Sequence, residues 1–163
     1  MSVTLQSNSR LQPWTKPPPM SFIKIIIHCV WCTKRRAPVL VKDKRTEIIQ
    51  YIKQSSAQKD IFIDCINGYT DHLHALVSLG GKQNIADVMQ QIKGGSSFWI
   101  NNKTKLFSDK FEWADKYYAV SVSESQLDKV RNYIHHQEEH HKKATFLQEY
   151  EEFVNKYGFD ELG

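Results

Sequence analysis

The sequence predicts an α+β domain built on a four-stranded, largely antiparallel sheet with helices mainly on one face. Three observations lead there. Segments 22–34, 60–67, 72–79 and 117–122 read as short strands bounded by turn residues. Segments of helical spacing separate or follow them, giving the order β-α-β-β-α-β-α-α. The chain has 163 residues, 40% hydrophobic and 25% charged, which suits one ordinary globular domain. Together these describe a ferredoxin-like (RRM-like) core.

Residues 1–19, MSVTLQSNSRLQPWTKPPP, hold three consecutive prolines and no periodicity. They are expected as an extended or disordered arm, which leaves 20–163 as the folded domain. In the first strand, Ile23, Ile25, Ile27, Cys29 and Trp31 alternate with the mixed set Phe22, Lys24, Ile26, His28, Val30 and Cys32. One face is therefore core and the other carries function or an interface. TKRRAP makes a basic turn. Residues 42–56 have helical spacing at Ile48, Ile49 and Ile52. The second strand ends at Gly68, and Tyr69–Asp71 form a tight turn into the third.

Along the third strand, Leu73, Ala75, Val77 and Leu79 point one way and His72, His74, Leu76 and Ser78 the other. Asn84 is placed to cap a helix from Ile85 to about Asn101, with a weak spot at Gly94-Gly95-Ser96-Ser97. After the fourth strand, Ser123 and Gln126 have capping-box spacing at the head of a long helix to about Lys143. A last helix is expected over 146–157, stopped by Gly158.

Formal charge is +4 and the pI is about 8.9, which permits a polyanionic partner without requiring one. The apolar runs, Ile25–Ile27 among them, are far too short to span a bilayer, and no signal-peptide pattern opens the chain. A cytoplasmic protein is expected. Three cysteines rule against a disulfide framework. Cys29 and Cys32 have CxxC spacing, but three residues along a strand put them on opposite faces, so packing is expected.

The chemistry gathers on YTDHLHALVSLGG. His72 and His74 share a strand face about 6.6 Å apart along it, so they can converge on one metal ion. A catalytic site needs about three protein ligands and open positions for substrate or water. Residues 130–143, VRNYIHHQEEHHKK, supply candidates. Tyr133 and Gln137, four apart, project within about 40° of each other beside the apolar stripe of Leu127, Val130 and Ile134. The Gln137 amide oxygen can complete a His, His, Gln set, and such borderline N/O ligands suit magnesium or manganese better than structural zinc. His141 is a rival ligand one turn further on, and His28, on the mixed face of the first strand, is another or a group supporting the site from behind. Tyr133, next to a metal, is a candidate nucleophile toward a phosphodiester.

Four stretches together resemble one family: IHCVWCTKRRAPVL, DHLHALVSL, QIKGGSSFWIN and FEWADKYYAVSVSESQLDKVRNYIHHQEEHHKKATFLQEYEEFVNKYG. They are similar to the single-tyrosine HUH transposases of small bacterial and archaeal insertion sequences, the IS200-like class. The resemblance runs from about Met20 to Gly158. It implies that His72, His74 and Gln137 hold Mg2+ or Mn2+ and that Tyr133 is the nucleophile. It further implies cleavage of single-stranded DNA at element ends through a 5′-phosphotyrosine, recognition of imperfect DNA hairpins, and a homodimer. Such a protein is nucleoid-associated when bound to DNA, and no membrane is involved. One departure is Tyr117-Tyr118, where the family often has glycine before the aromatic of the fourth strand; Tyr117 pairs with no ligand by spacing. Lys34, Arg35 and Arg36 after the first strand, and Lys93, Ser96 and Ser97 on the second helix, are candidate DNA contacts. Two other readings remain: a domesticated, replication-initiation or relaxase-like nickase acting on palindromic repeats, and a non-catalytic nucleic-acid-binding module. Against the last, the open sheet face carries histidines rather than the exposed aromatics of RNA-binding sheets.

Overall fold

The computed structural model describes residues 23–141 together with 148, 151 and 152. The expected arm at 1–19 lies outside the described residues, as does nearly all of the expected helix at 146–157. Four strands, β1 (Ile25–Thr33), β2 (Phe62–Gly68), β3 (His72–Leu79) and β4 (Trp113–Ser121), form one sheet in the order β2-β3-β1-β4. Every neighbouring pair is antiparallel. The two long helices, α1 (Lys42–Ala57) and α2 (Ile85–Lys103), connect β1 to β2 and β3 to β4. This is the α+β, ferredoxin-like arrangement expected from the element order.

Strand alternation divides the interior into two layers. Cys29, Trp31, Leu73, Ala75 and Val77 point to one face and form the main core with α1 and α2. The α2 contribution comes from Val88, Ile92, Ser96 and Ile100, a strict four-residue repeat that lines one side of a helix. Asn84 caps that helix as expected, its side chain accepting from the Asp87 amide at 2.9 Å. The helix is not interrupted at Gly94-Gly95: it is continuous from Ile85 to Lys103. Gly95 brings α1 close, since a Cβ there would lie 3.3 Å from Lys59 Nζ and 3.9 Å from Ser55 Oγ. Ser96 is buried, bonding back to the Ile92 carbonyl and accepting from Trp113 Nε1 at 2.9 Å. That contact also explains why β4 starts four residues earlier than expected: Trp113 is core, and the intervening Asp115 and Lys116 hide it from a pattern search.

The opposite face is crossed by α3 (Leu127–His135) and α4 (Gln137–His140). Leu127 and Ile134 pack there on Cys65 and Leu76, with Val130 and Tyr133 at the margin. The long helix expected from Glu124 to about Lys143 is instead three pieces. A 3₁₀ turn occupies Glu124–Gln126, and the Ser123 side chain caps no backbone group, so the capping box does not form. His136 then breaks the helix at φ −99°, ψ 26°. The break has a local cause. The Asn132 carbonyl accepts from the His136 amide at 3.1 Å and from its Nδ1 at 2.8 Å, so an imidazole competes within the helical ladder.

Cys29 and Cys32 do lie on opposite faces, both as free thiols. Burial pushes the Cys29 thiol up to about 12, so it stays protonated and inert at neutral pH. No helix among the described residues is long and apolar enough to cross a membrane.

Ile134 is fully buried under α3. Truncation by Ile134→Ala is expected to cost about 2–5 kcal/mol in urea unfolding, because a cavity opens between α3 and the sheet.

Candidate active site

The antiparallel register puts three imidazoles side by side. In β3, His72 lies opposite Cys32 and His74 opposite Val30 of β1, so His28 is the diagonal neighbour of His74. His28 Nε2 is 3.0 Å from His74 Nδ1, and the two rings stack at 5.2 Å. The His72 and His74 rings meet edge-on at 5.0 Å. All three are buried. Burial, followed by the positive charge its imidazole neighbours could carry, holds His74 well below the usual histidine range, so it is a neutral lone-pair donor.

The chain after the break at His136 closes the site from above. Gln137 is fully buried, with Oε1 3.4 Å from His72 Nε2. His141 Nε2 lies 3.1 Å from the same His72 nitrogen, and its ring stacks on Tyr69 at 4.8 Å. Both rival third ligands thus converge on His72. Among the described residues, no three His, Cys, Asp or Glu side chains form a metal cage. Beside the imidazoles stands one amide oxygen, Gln137 Oε1. The donor chemistry fits: neutral imidazole nitrogens and an amide oxygen, buried and facing one another.

Tyr133 is half-buried at the margin of this cluster. Its ring lies edge-on 5.6 Å from His74, 6.3 Å from His28 and 5.2 Å from His140. Three polar ties hold α3 and the following α4 down. Arg131 Nε donates to Asp64 Oδ2 of β2 at 2.7 Å. Asn67 Nδ2 donates to the His135 carbonyl at 3.0 Å, at the frayed end of α3. Arg45, buried in α1, donates to Glu138 of α4 and to the Leu40 carbonyl.

Sequence reasoning missed Asp71. Its Oδ1 accepts from His72 Nδ1 at 2.7 Å, and its Oδ2 accepts from Arg36 Nη2 at 2.9 Å. Burial alone would raise the Asp71 carboxyl, but hydrogen bonds and charge from His72 and Arg36 outweigh it and hold it below the usual carboxylate range. The carboxylate fixes the tautomer of His72, leaving Nε2 as the lone pair that faces Gln137. An Asp directly before the first histidine was the available signal. Arg36 therefore stands behind His72.

The candidate DNA contacts do not come together in one place. Lys34–Arg36 form a 3₁₀ turn in which Lys34 pairs with Glu112 at 3.0 Å. Lys93, Ser96 and Ser97 are on α2, which packs on the face away from the histidines. Lys93 Nζ donates to the Asp115 carbonyl at 2.7 Å and sits 5.5 Å from the Tyr117 ring centroid. Ser97 bonds back to the Gly94 carbonyl, and the Ser96 hydroxyl is buried as described. Tyr117 packs with the main core, away from the imidazoles.

Arg131→Ala removes the tie between α3 and β2. Amide hydrogen exchange is expected to quicken across residues 127–135 and stay unchanged in β1 and β3.

The chain was compared with known proteins. It is 28% identical over 115 residues to the ISDra2 transposase TnpA of Deinococcus radiodurans, covering 68% of this chain and 81% of that protein. It is 25% identical over 124 residues to the transposase for insertion sequence element IS200 of Salmonella typhimurium, covering 74% and 81%. Among solved structures, a Deinococcus radiodurans R1 protein described as a transposase superposes with a TM-score of 0.60 at 21% identity, over 75% of this chain and 97% of that one. A REP-associated tyrosine transposase bound to a REP hairpin superposes with a TM-score of 0.56 at 14% identity, over 77% and 74%. The model of the family described as "Transposase IS200 like" matches residues 21–137, from the first strand to Gln137, and the chain belongs to that family.

Proposed function

We propose that this transposase cuts and rejoins single-stranded DNA with Tyr133 as nucleophile and a divalent ion, Mg2+ or Mn2+, held by His72, His74 and Gln137. The observation that carries the reading is the meeting of two distant segments. Gln137 Oε1 lies 3.4 Å from His72 Nε2, and the Tyr133 ring lies 5.6 Å from His74, in one buried cluster.

The Tyr133 oxygen attacks the scissile phosphorus and forms a P–O bond as its phenolic proton is lost. The bond from phosphorus to the 3′ oxygen breaks, and that oxygen takes up a proton and leaves as a free hydroxyl. The product is a 5′-phosphotyrosine, and the reverse attack by a 3′-hydroxyl rejoins a strand without an energy source. Held by His72, His74 and Gln137, a divalent ion would polarise the phosphate and stabilise the charge that develops on it. The chain's own residues prepare this. Asp71 orients His72, burial keeps His74 neutral, the ties through Arg131 and Asn67 set where Tyr133 stands, and the tie through Arg45 sets where Gln137 stands.

The DNA partner is a single strand beside an imperfect hairpin, consistent with the hairpin bound by a structural neighbour of this fold. The protein acts as a homodimer on DNA in the cytoplasm, at the nucleoid. That same neighbour also favours a second reading, action on repeated palindromes rather than on element ends. Sequencing around the gene separates the two: flanking hairpins would favour the first reading, and dispersed repeats without a mobile element the second.

Incubation with a labelled hairpin oligonucleotide and Mn2+ is expected to give a covalent adduct that Tyr133→Phe abolishes. An adduct from that variant places the nucleophile elsewhere. His72→Ala or His74→Ala is expected to stop cleavage while hairpin binding persists. Asp71→Asn is expected to weaken Mn2+ binding by about 10–100-fold in titration calorimetry, since it loosens a ligand rather than removing one.

A further inference from the structure

Beside the active site lies a recess of about 540 Å³ between the basic turn and the segment 107–112. That volume falls within the roughly 300–1,000 Å³ of sites that hold a small-molecule-sized group. Its floor is aromatic, from Phe107 and Phe111, whose rings stack at 5.1 Å. Its rim carries Lys34, Arg35, Lys44 and Lys110, against the carboxylates of Asp109 and Glu112. We propose that this recess holds one unpaired nucleotide of the strand entering the active site, with the base on the aromatic floor and its phosphate among the rim cations. The proposal rests on the single-stranded DNA reading above and adds where the strand is gripped.

The recess and the histidine cluster share a wall. Thr33, in the lining, bonds through both its amide (2.8 Å) and its hydroxyl (3.2 Å) to the carbonyl of Asp71, the residue before His72. A strand bound in the recess is therefore delivered next to the nucleophile's cluster.

The basic turn is built to serve both sides. Arg35 and Arg36 both adopt positive φ, 54° and 55°, which side-chain-bearing residues rarely do. Such strain persists where the surroundings enforce it, and it gathers at ligand clamps. Its effect here is to send two consecutive guanidiniums apart: Arg36 to Asp71, and Arg35 to the recess. Arg35 has no ion-pair partner among the described residues.

The lining has the mixture that unpaired nucleotides select, an aromatic surface with cations around it. Lys44 Nζ lies 4.4 Å from the Phe107 ring centroid. A base takes over that ring face, and the flexible lysine swings to the phosphate. Glu112 is shared by Lys34 at 3.0 Å and Lys110 at 3.4 Å, which neutralises one of the two carboxylates. Asp109 offers an acceptor to a base amino group. A track for duplex backbone needs neither the aromatic floor nor the acid.

The test uses the full chain carrying Tyr133→Phe, in EDTA, so that neither cleavage nor metal enters. Fluorescence anisotropy compares a hairpin with a single-stranded flank against the same hairpin with a blunt end. Lys44→Gln combined with Lys110→Gln is expected to weaken the flanked hairpin by on the order of tenfold and leave the blunt one unchanged. Photocrosslinking with 5-iododeoxyuridine stepped along the flank is expected to give one position that crosslinks within 107–111. Equal loss on both hairpins, or crosslinks only elsewhere, overturns the recess while the DNA reading stands. Binding of neither hairpin by the parent chain overturns both.

Discussion

The register of β1 against β3 is the constraint on which the site rests. With Val30 opposite His74 and Cys32 opposite His72, every second residue of both strands faces the main core, and the residues between them face α3. A slip of one residue would bury His28 among the leucines and turn the core outward. Leu73 and Ala75, buried on either side of His74, make that slip expensive. Burying imidazoles is costly unless their nitrogens find partners. His28 Nε2 and His74 Nδ1 find each other because the register sets His28 diagonally beside His74, and His72 Nδ1 finds Asp71. The hydrophobic pattern thus sets where the polar cluster stands.

The other half of the site comes from outside the sheet and is held from three directions. Asp64 and Asn67 in β2 grip α3, and Arg45 in α1 reaches α4. Closeness at the turn into β3 adds a further demand. A Cβ at Gly68 would lie 2.1 Å from the His72 carbonyl oxygen, so only glycine lets β2 approach there. A backbone position without a side chain is what allows the first histidine to stand where Gln137 can meet it.

Much of this was legible in the sequence. Period-two alternation in β1 and β3 names the core residues and the histidine face, because strand geometry leaves a side chain only two directions. The HxH pair, Tyr133 and Gln137 are brought into one cluster as their spacing suggested. What escaped notice depended on particular long-range partners. Trp113 looks like part of a loop until Ser96, seventeen positions before it in the chain, accepts its indole proton. Gly94-Gly95 looks like a hinge until α1 packs against it. The ion pair of Arg131 with Asp64 joins residues with no local relation. The helix break at His136 arises from a side chain competing for a backbone carbonyl, and helical periodicity does not register such competition.

That break separates two residues that an unbroken helix would lock together. On a continuous helix, Tyr133 and Gln137 would turn as one body, and the position of either would dictate that of the other. Here Tyr133 belongs to a segment anchored on β2, and Gln137 to one anchored on α1. The two segments meet at His136, and the Gln137 side-chain amide reaches back to the Tyr133 carbonyl at 3.5 Å. The break therefore gives the two side chains different supports, β2 under the phenol and α1 beside the amide.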